Sequence, residues 1–281
     1  MPRTLKSLKT PLRYPGGKSK AVPKLLQYLP NLFQVKEFRE PFLGGGSVAL
    51  EITKRYPHID VWVNDLYEPL YNFWCELQHN GQELQDALLG IKSIYCNPDA
   101  ARCLFITSKE QINDSDLSNF DRAVAFYIVN KCSFSGLTES SSFSAQASES
   151  NFSTNGIERL TEYSEIIERW KITNLSYESM LCDDKDTFIY LDPPYDIKDN
   201  LYGRKGEMHK RFDHDKFAHD CDKHTCPMLI SYNSDQIIRD RFYEWTVGEF
   251  AHTYTMRSVG CYNIDQATRK ELVLTNYEMR S

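Results

Sequence analysis

Asp192-Pro193-Pro194-Tyr195 puts a carboxylate, two prolines and an aromatic ring in consecutive positions, directly after the apolar run Thr187–Leu191. Neither proline has an N–H to donate, so a strand that runs into them loses its ladder there. Pro194 also drives residue 193 into an extended conformation, which fixes the direction of the Pro193 carbonyl. Two rigid acceptors, the Asp192 carboxylate and the Pro193 carbonyl, then stand beside the flat face of Tyr195. An exocyclic amine on a planar ring has two N–H donors and suits such a trio. Accepting both hydrogens draws the nitrogen toward a tetrahedral shape and aims its lone pair at an electrophile. The plainer alternative is a Pro-Pro turn that carries a surface tyrosine.

A second constellation lies earlier. Gly44-Gly45-Gly46-Ser47-Val48-Ala49 satisfies the pattern G-x-G-x-x-G/A, and Asp65 follows Gly44 by 21 residues. Glycines in such a turn let a ligand approach the backbone, and an acid at that spacing accepts hydrogen bonds from ribose hydroxyls. The pattern leaves the adenosine-bearing cofactor open between a nicotinamide dinucleotide and S-adenosylmethionine, and a structural turn without a ligand is the bland reading. Gly17-Lys18-Ser19 imitates the end of a phosphate-binding loop, but Leu12 stands where that motif needs glycine. His209, His214, His219 and His224 recur every five residues near Cys221 and Cys226. On a helix that step rotates side chains by about 140° and scatters them, so a polar surface segment is favoured over zinc.

These residues need elements to hold them. Val22 to Leu32 has helical apolar spacing but is broken by Pro23 and Pro30, which predicts a short helix. A strand over Glu37–Phe42, the glycine turn, a helix over Val48–Arg55 and a strand at Ile59–Val63 form a βαβ unit ending at Asn64-Asp65. From Leu66 to Trp170 the pattern is mostly helical, for example Asp121–Val129. Residues 133–155, rich in Ser, Thr, Gln and Asn, read as a mobile surface loop. Strands resume at Thr173–Tyr177, Thr187–Leu191, Met228–Ser231 and Glu271–Thr275. The layout is an α/β sheet domain built from both ends of the chain and interrupted by a helical insertion.

Composition agrees with a globular chain: 281 residues, 41% hydrophobic and 26% charged. No apolar run reaches the roughly 18 residues that span a bilayer, and the N-terminus lacks the stretch of a signal peptide. The eight cysteines show no CxxC pair and read as reduced thiols of a cytosolic protein. A net charge of −6 argues against nucleic acid, but its distribution does not. Arg3, Lys6, Lys9, Arg13, Lys18, Lys20, Lys24 and Lys36 precede the first acid, Glu37. Arg204, Lys205, His209, Lys210 and Arg211 form a second basic cluster. Local phosphate binding on a negative protein predicts weak, salt-sensitive non-specific affinity.

Taken together, Asp-Pro-Pro-Tyr, the Phe-x-Gly-x-Gly loop (Phe42, Gly44, Gly46) and the N-terminal Gly-Gly-Lys resemble the Dam-type, D12 class, alpha-order DNA adenine N6-methyltransferases. Glu40-Pro41-Phe42, Asn130-Lys131, Phe134-Ser135-Gly136-Leu137, Leu229–Asn233 and Thr268–Leu272 extend the resemblance from about residue 11 to residue 277. It implies a mixed, mostly parallel seven-stranded α/β methyltransferase sheet, with catalytic parts at 1–70 and 171–281 and a helical target-recognition insertion at 71–170. It implies S-adenosylmethionine as cofactor, duplex DNA as partner, and methyl transfer to the N6 amine of a flipped-out adenine.

By that resemblance Tyr14, Lys18, Phe42, Gly44, Gly46, Asp65, Glu178 and Asp192 contact the cofactor, Asp65 through the ribose. Asp192, Pro193 and Tyr195 hold the target, and Tyr195 stacks on the adenine. Arg13, Phe134, Glu139, Lys210, Arg211, Arg269 and Lys270 are the expected DNA contacts. No metal is expected, and the protein is expected to be a monomer or weak dimer in the cytoplasm, held to the nucleoid through DNA, in a restriction-modification or phage setting. Cytosine N4-methylation, an inactive DNA-binding relative and a nicotinamide oxidoreductase are the rival readings. In relatives that methylate GATC, an arginine pairs with guanine about where Glu139 stands here, so strict GATC specificity is not expected.

Overall fold

The computed structural model of the chain describes residues 10–14, 16–134, 136, 141–195, 212–251 and 270–279. Seven strands form one sheet: β1 Glu37–Glu40, β2 Asp60–Asn64, β3 Lys171–Thr173, β4 Thr187–Leu191, β5 Met228–Asn233, β6 Thr246–Ala251 and β7 Lys270–Thr275. Their order is β3-β2-β1-β4-β5-β7-β6. The first five run parallel, and β7 is antiparallel to both β5 and β6. The expected mixed, mostly parallel seven-stranded sheet is what the chain forms.

Alternation along β4 explains the layers. Phe188 and Tyr190 join an apolar cluster on one side, while Ile189 and Leu191 join another with Phe217, Ile230, Tyr232 and Leu272. Successive side chains of a strand point to opposite faces, so this strand is buried on both, as its unbroken apolar run requires.

Early in the chain lies α1 (Val22–Leu25), continued by a 3-10 turn over Leu26–Tyr28; Pro23 sits in its first turn, where no N–H is needed. Between β1 and β2 lies α2 (Ser47–Arg55), which buries Val48, Ala49, Leu50 and Ile52 and ends on Lys54 and Arg55, next to the negative end of its dipole. Between β2 and β3 come α3 (Glu68–His79), α4 (Gly81–Ile94), α5 (Pro98–Gln111), α6 (Asn119–Cys132), α7 (Ala145–Ser150), α8 (Thr154–Ile157) and α9 (Leu160–Ile167). This helical segment shares its core with the sheet: Trp74, Tyr127 and Leu160 belong to the same buried cluster as Phe38 and Val63. Phe73 stacks on Tyr127 with ring centroids 5.9 Å apart, joining α3 to α6. After β4 come α10 (His214–Asp222) and, before β6, α11 (Gln236–Arg241).

Three expectations need correction. Residues 133–155 are not a loop throughout: Ser133 bridges Phe143, α7 begins at an N-cap Ser144 that accepts from Ala147, and Phe152 is fully buried. The many serines act as caps, and short capped helices leave no sustained periodicity to read. The strand expected at Thr173–Tyr177 ends at Thr173, and Tyr177–Met180 forms a 3-10 turn instead. The edge strand β6 was not anticipated; its weakly buried residues lack the alternation that marks a half-buried strand.

Of the five-residue histidine series, His214 bonds the Tyr232 hydroxyl at 2.8 Å, His219 is exposed and His224 faces Asp183 at 3.3 Å. His209 lies outside the described residues. Among the described residues no three His, Cys, Asp or Glu are placed to hold a metal ion, and no helix is long and apolar enough to cross a membrane.

Candidate active site

The chain leaves β1 for β2 on one side and returns to β4 on the other, so the sheet order reverses between β1 and β4. Ligands of open α/β sheets bind beyond the carboxyl ends of strands at such a switch point. A cavity of about 310 Å³ lies there. Its walls come from the segments after β1 (Pro41 to Val48), β2 (Asp65 to Tyr67), β3 (Leu175 to Glu178) and β4 (Asp192 to Tyr195), and from Tyr14 and Gly16–Lys18.

The glycine turn is held from below. Asp65 Oδ2 accepts the Gly44 N–H at 2.9 Å, and Oδ1 accepts the Tyr67 N–H at 3.0 Å. Gly44 has φ +50°, and a Cβ there would meet the Tyr14 ring at 2.8 Å. Gly46, at φ +68°, lies against Trp74, whose Nε1 donates to the Gly44 carbonyl. Glu40 is buried beneath the turn, where Oε2 accepts the Ala49 N–H at 2.8 Å in the first turn of α2. That N–H has no partner within the helix, so the acid caps it and meets the positive end of the dipole.

Burial dominates the electrostatics. It pushes the Glu40 carboxyl well above the usual carboxylate range, although the Ala49 N–H opposes it. It pushes Asp65 up to about 6 against its two backbone hydrogen bonds. Asp192 is also raised by burial, with the Lys18 ammonium opposing and the Glu271 charge adding to the rise.

At the end of β4 the tetrapeptide enters a charged cluster. Lys18 Nζ lies 2.9 Å from Asp192 Oδ1 and 3.0 Å from Glu271 Oε1. The Tyr195 hydroxyl lies 2.8 Å from Glu271 Oε1 and 3.2 Å from Asp192 Oδ1, and accepts from Lys18. Ser231 on β5 donates to Asp192 Oδ1 at 3.1 Å and contacts the Tyr190 hydroxyl at 2.8 Å. Asp192 is 21% exposed, and that exposure faces the cavity it lines.

Set against the sequence reading, Tyr14, Lys18, Phe42, Gly44, Gly46, Asp65, Glu178, Asp192, Pro193 and Tyr195 all line this one cavity. Some of their side chains are used differently. Lys18, expected on the cofactor, spends its ammonium on Asp192 and Glu271. Asp65, expected on a ribose, uses both oxygens on backbone amides. Phe42 packs between Tyr177 and Phe212, with centroids 5.7 and 5.8 Å away. Glu178 pairs with Lys216 at 2.6 Å.

The expected DNA contacts do not gather in the same way. Arg13 donates to the Ser133 and Phe134 carbonyls at 2.6 and 3.1 Å, so its guanidinium ties the N-terminal segment to the end of α6. Phe134 is 55% exposed. Lys270 pairs with Glu249 at 3.1 Å. Glu139, Lys210, Arg211 and Arg269 lie outside the described residues.

Sequence reasoning gave no role to Glu40, Asn130, Ser231 or Glu271. A signal existed for Glu271: it is an acid that opens directly onto the apolar run Leu272–Leu274 and is 0% exposed. A carboxylate is buried in a strand only where it is paired.

A mostly parallel sheet with an acid-lined cavity at its switch point defines an α/β protein of the class whose ligand sites lie above the strand ends. The D12 class N6 adenine-specific DNA methyltransferase family matches residues 14–256, and the chain belongs to that family. It is therefore an adenine-specific DNA methyltransferase, and the cytosine and oxidoreductase readings fall. Type II methyltransferase M.MjaIII of Methanocaldococcus jannaschii is 22% identical over 246 residues, 80% of this chain and 84% of that protein. A DNA adenine methylase of Vibrio cholerae serotype O1 is 28% identical over 189 residues, 66% of this chain and 64% of that one. Type II methyltransferase M1.LlaDCHI of Lactococcus lactis subsp. cremoris is 21% identical over 280 residues, 94% of each.

Proposed function

We propose that the cavity holds S-adenosylmethionine and that Asp192, Pro193 and Tyr195 receive an adenine swung out of duplex DNA. The observation that carries this reading is that Asp192, Pro193 and Tyr195 line one cavity together, with the Tyr195 hydroxyl 3.2 Å from Asp192 Oδ1. The donor set suits the cofactor. Glu40, Asp65 and Asp192 are carboxylates raised by burial, and a ligand bearing a sulfonium and an ammonium relieves that penalty. Tyr14, Phe42, Gly44, Gly46, Asp65 and Glu178 line the cavity that would take it. When bound, the cofactor supplies the activated methyl group.

The residues of this chain supply position. Asp192 and the Pro193 carbonyl accept the two amine hydrogens and aim the nitrogen lone pair, while Tyr195 stacks on the base. A base inside a duplex cannot reach such a pocket, so it must be flipped out at a cost of a few kcal/mol. Residues 71–170 act as the recognition part, with Phe134, Glu139, Lys210, Arg211, Arg269 and Lys270 as the DNA-facing set, while Arg13 is tied to the end of α6. No metal takes part, and the protein works as a monomer or weak dimer in the cytoplasm, on DNA.

Asp192→Ala tests the reading. Single-turnover transfer from labelled cofactor should fall far more than tenfold with the fold intact, because alignment is lost. A variant keeping more than about a tenth of the wild-type rate removes Asp192 from this role.

A further inference from the structure

Glu271 is 0% exposed at the start of β7, and two of its partners are the Lys18 ammonium and the Tyr195 hydroxyl. It stands behind them, outside the cavity wall that Lys18, Asp192 and Tyr195 form. Three donors meet on one oxygen in front of it: Lys18 Nζ, Ser231 Oγ and the Tyr195 hydroxyl all reach Asp192 Oδ1 within 3.2 Å. A target amine that needs Asp192 as its acceptor must compete with that ammonium. Withdrawing an ammonium from its only carboxylate inside a protein leaves an uncompensated charge, which is strongly unfavourable. A second carboxylate on the same ammonium removes that obstacle.

We propose that Glu271 is a positioning residue that retains the Lys18 ammonium and the Tyr195 hydroxyl when Asp192 is handed to the target amine. The proposal rests on the reading of Asp192 as the acceptor of that amine. Among the described residues Lys18 meets both Asp192 and Glu271, so it can stay on one carboxylate while the other is given to the amine. With Glu271 gone, Lys18 and Asp192 form a closed one-to-one pair. With Lys18 gone, the Glu271 charge still bears on Asp192 and penalises the charged carboxylate that the amine needs. With both gone, the Glu271 contribution to that penalty is lifted and Asp192 is the more available acceptor.

Glu271→Gln is close to isosteric and leaves an amide oxygen for Tyr195. Single-turnover methyl transfer to a duplex at saturating S-adenosylmethionine is measured for wild type, Glu271→Gln, Lys18→Met and the double variant. Binding of S-adenosylhomocysteine is measured by calorimetry and folding by thermal melts. Glu271→Gln should slow transfer by about fivefold or more while changing S-adenosylhomocysteine affinity by less than that factor. The double variant should be faster than Lys18→Met alone, a coupling that a merely structural glutamate would not produce. A smaller loss in Glu271→Gln, an equal or larger loss of cofactor-analogue affinity, or a double variant no faster than Lys18→Met overturns the proposal. If Glu271→Gln does not fold, the comparison of Lys18→Met with the double variant decides alone. Asp192→Ala in the same assay separates the two ideas. If it stays active, the reading of Asp192 fails; if it is inactive and the Glu271 results are negative, only the role of Glu271 fails.

Discussion

Asn130 holds Arg13 by both of its backbone polar groups: Oδ1 accepts the Arg13 N–H at 2.9 Å, and Nδ2 donates to the Arg13 carbonyl at 2.7 Å. The same Nδ2 donates to the Gly136 carbonyl at 3.0 Å. One buried side chain on α6 thus fixes the segment that delivers Tyr14 and Lys18 to the cavity. Asn130→Ala should cost about 2–3 kcal/mol, since it strands buried backbone groups on two segments. Urea unfolding measures this, and a loss below about 0.5 kcal/mol would mean that water replaces the amide.

Gly44→Ala should weaken the cofactor site more than the fold. A side chain at φ +50° is strained by about 1–2 kcal/mol, and its Cβ would push the Tyr14 ring from 2.8 Å. Calorimetry with S-adenosylhomocysteine should show about a tenfold loss of affinity, equivalent to displacing one wall of the cavity. Unchanged affinity would separate Tyr14 from the cofactor.

Asp65 makes stability depend on pH in a stated direction. Its folded-state value of about 6 lies above its ordinary 3.8, so the folded protein binds this proton more tightly than the unfolded chain. Stability from this group is therefore greatest in acid and falls as pH rises from about 4 to about 6, by roughly 2–3 kcal/mol. Asp65→Asn lacks that titration. The difference in unfolding free energy between wild type and Asp65→Asn should shift against wild type across that window and be flat above it. A flat difference throughout would show that the carboxyl titrates near its ordinary value.

Base flipping has its own readout. With 2-aminopurine at the target position, fluorescence should rise when wild type binds and rise less with Tyr195→Ala, because stacking on a base is worth ~1–3 kcal/mol. Cofactor-analogue affinity should change little. Equal fluorescence from both proteins would take Tyr195 out of base capture.

Recognition is expected to depend on Glu139. A carboxylate cannot donate to guanine but can accept from cytosine N4, a contact worth ~1–3 kcal/mol of discrimination. Methylome sequencing of cells carrying wild type should show methylation not confined to GATC, and Glu139→Ala should change the motif. A signal restricted to GATC would defeat the first expectation, and an unaltered motif would defeat the second.

Local chemistry made much of this protein legible in its amino-acid order. Proline pairs end strands, glycine turns admit a ligand, and apolar runs bounded by polar residues make strands; each acts over a few residues. Hence β1, α2, β2, β4 and the placing of Asp192, Tyr195 and the glycine turn at strand ends could be read directly. What side chains do once there depends on partners far along the chain. Lys18 meets Glu271 only because β7 inserts antiparallel beside β5, and Arg13 is spent on Ser133 and Phe134 only because α6 ends beside the N-terminal segment. Asp65 has the spacing of a ribose ligand, yet its two oxygens reach Gly44 and Tyr67 because β2 delivers it beneath the glycine turn. A buried charge takes whichever partner the packed core brings within about 3 Å, and only the tertiary fold decides which that is.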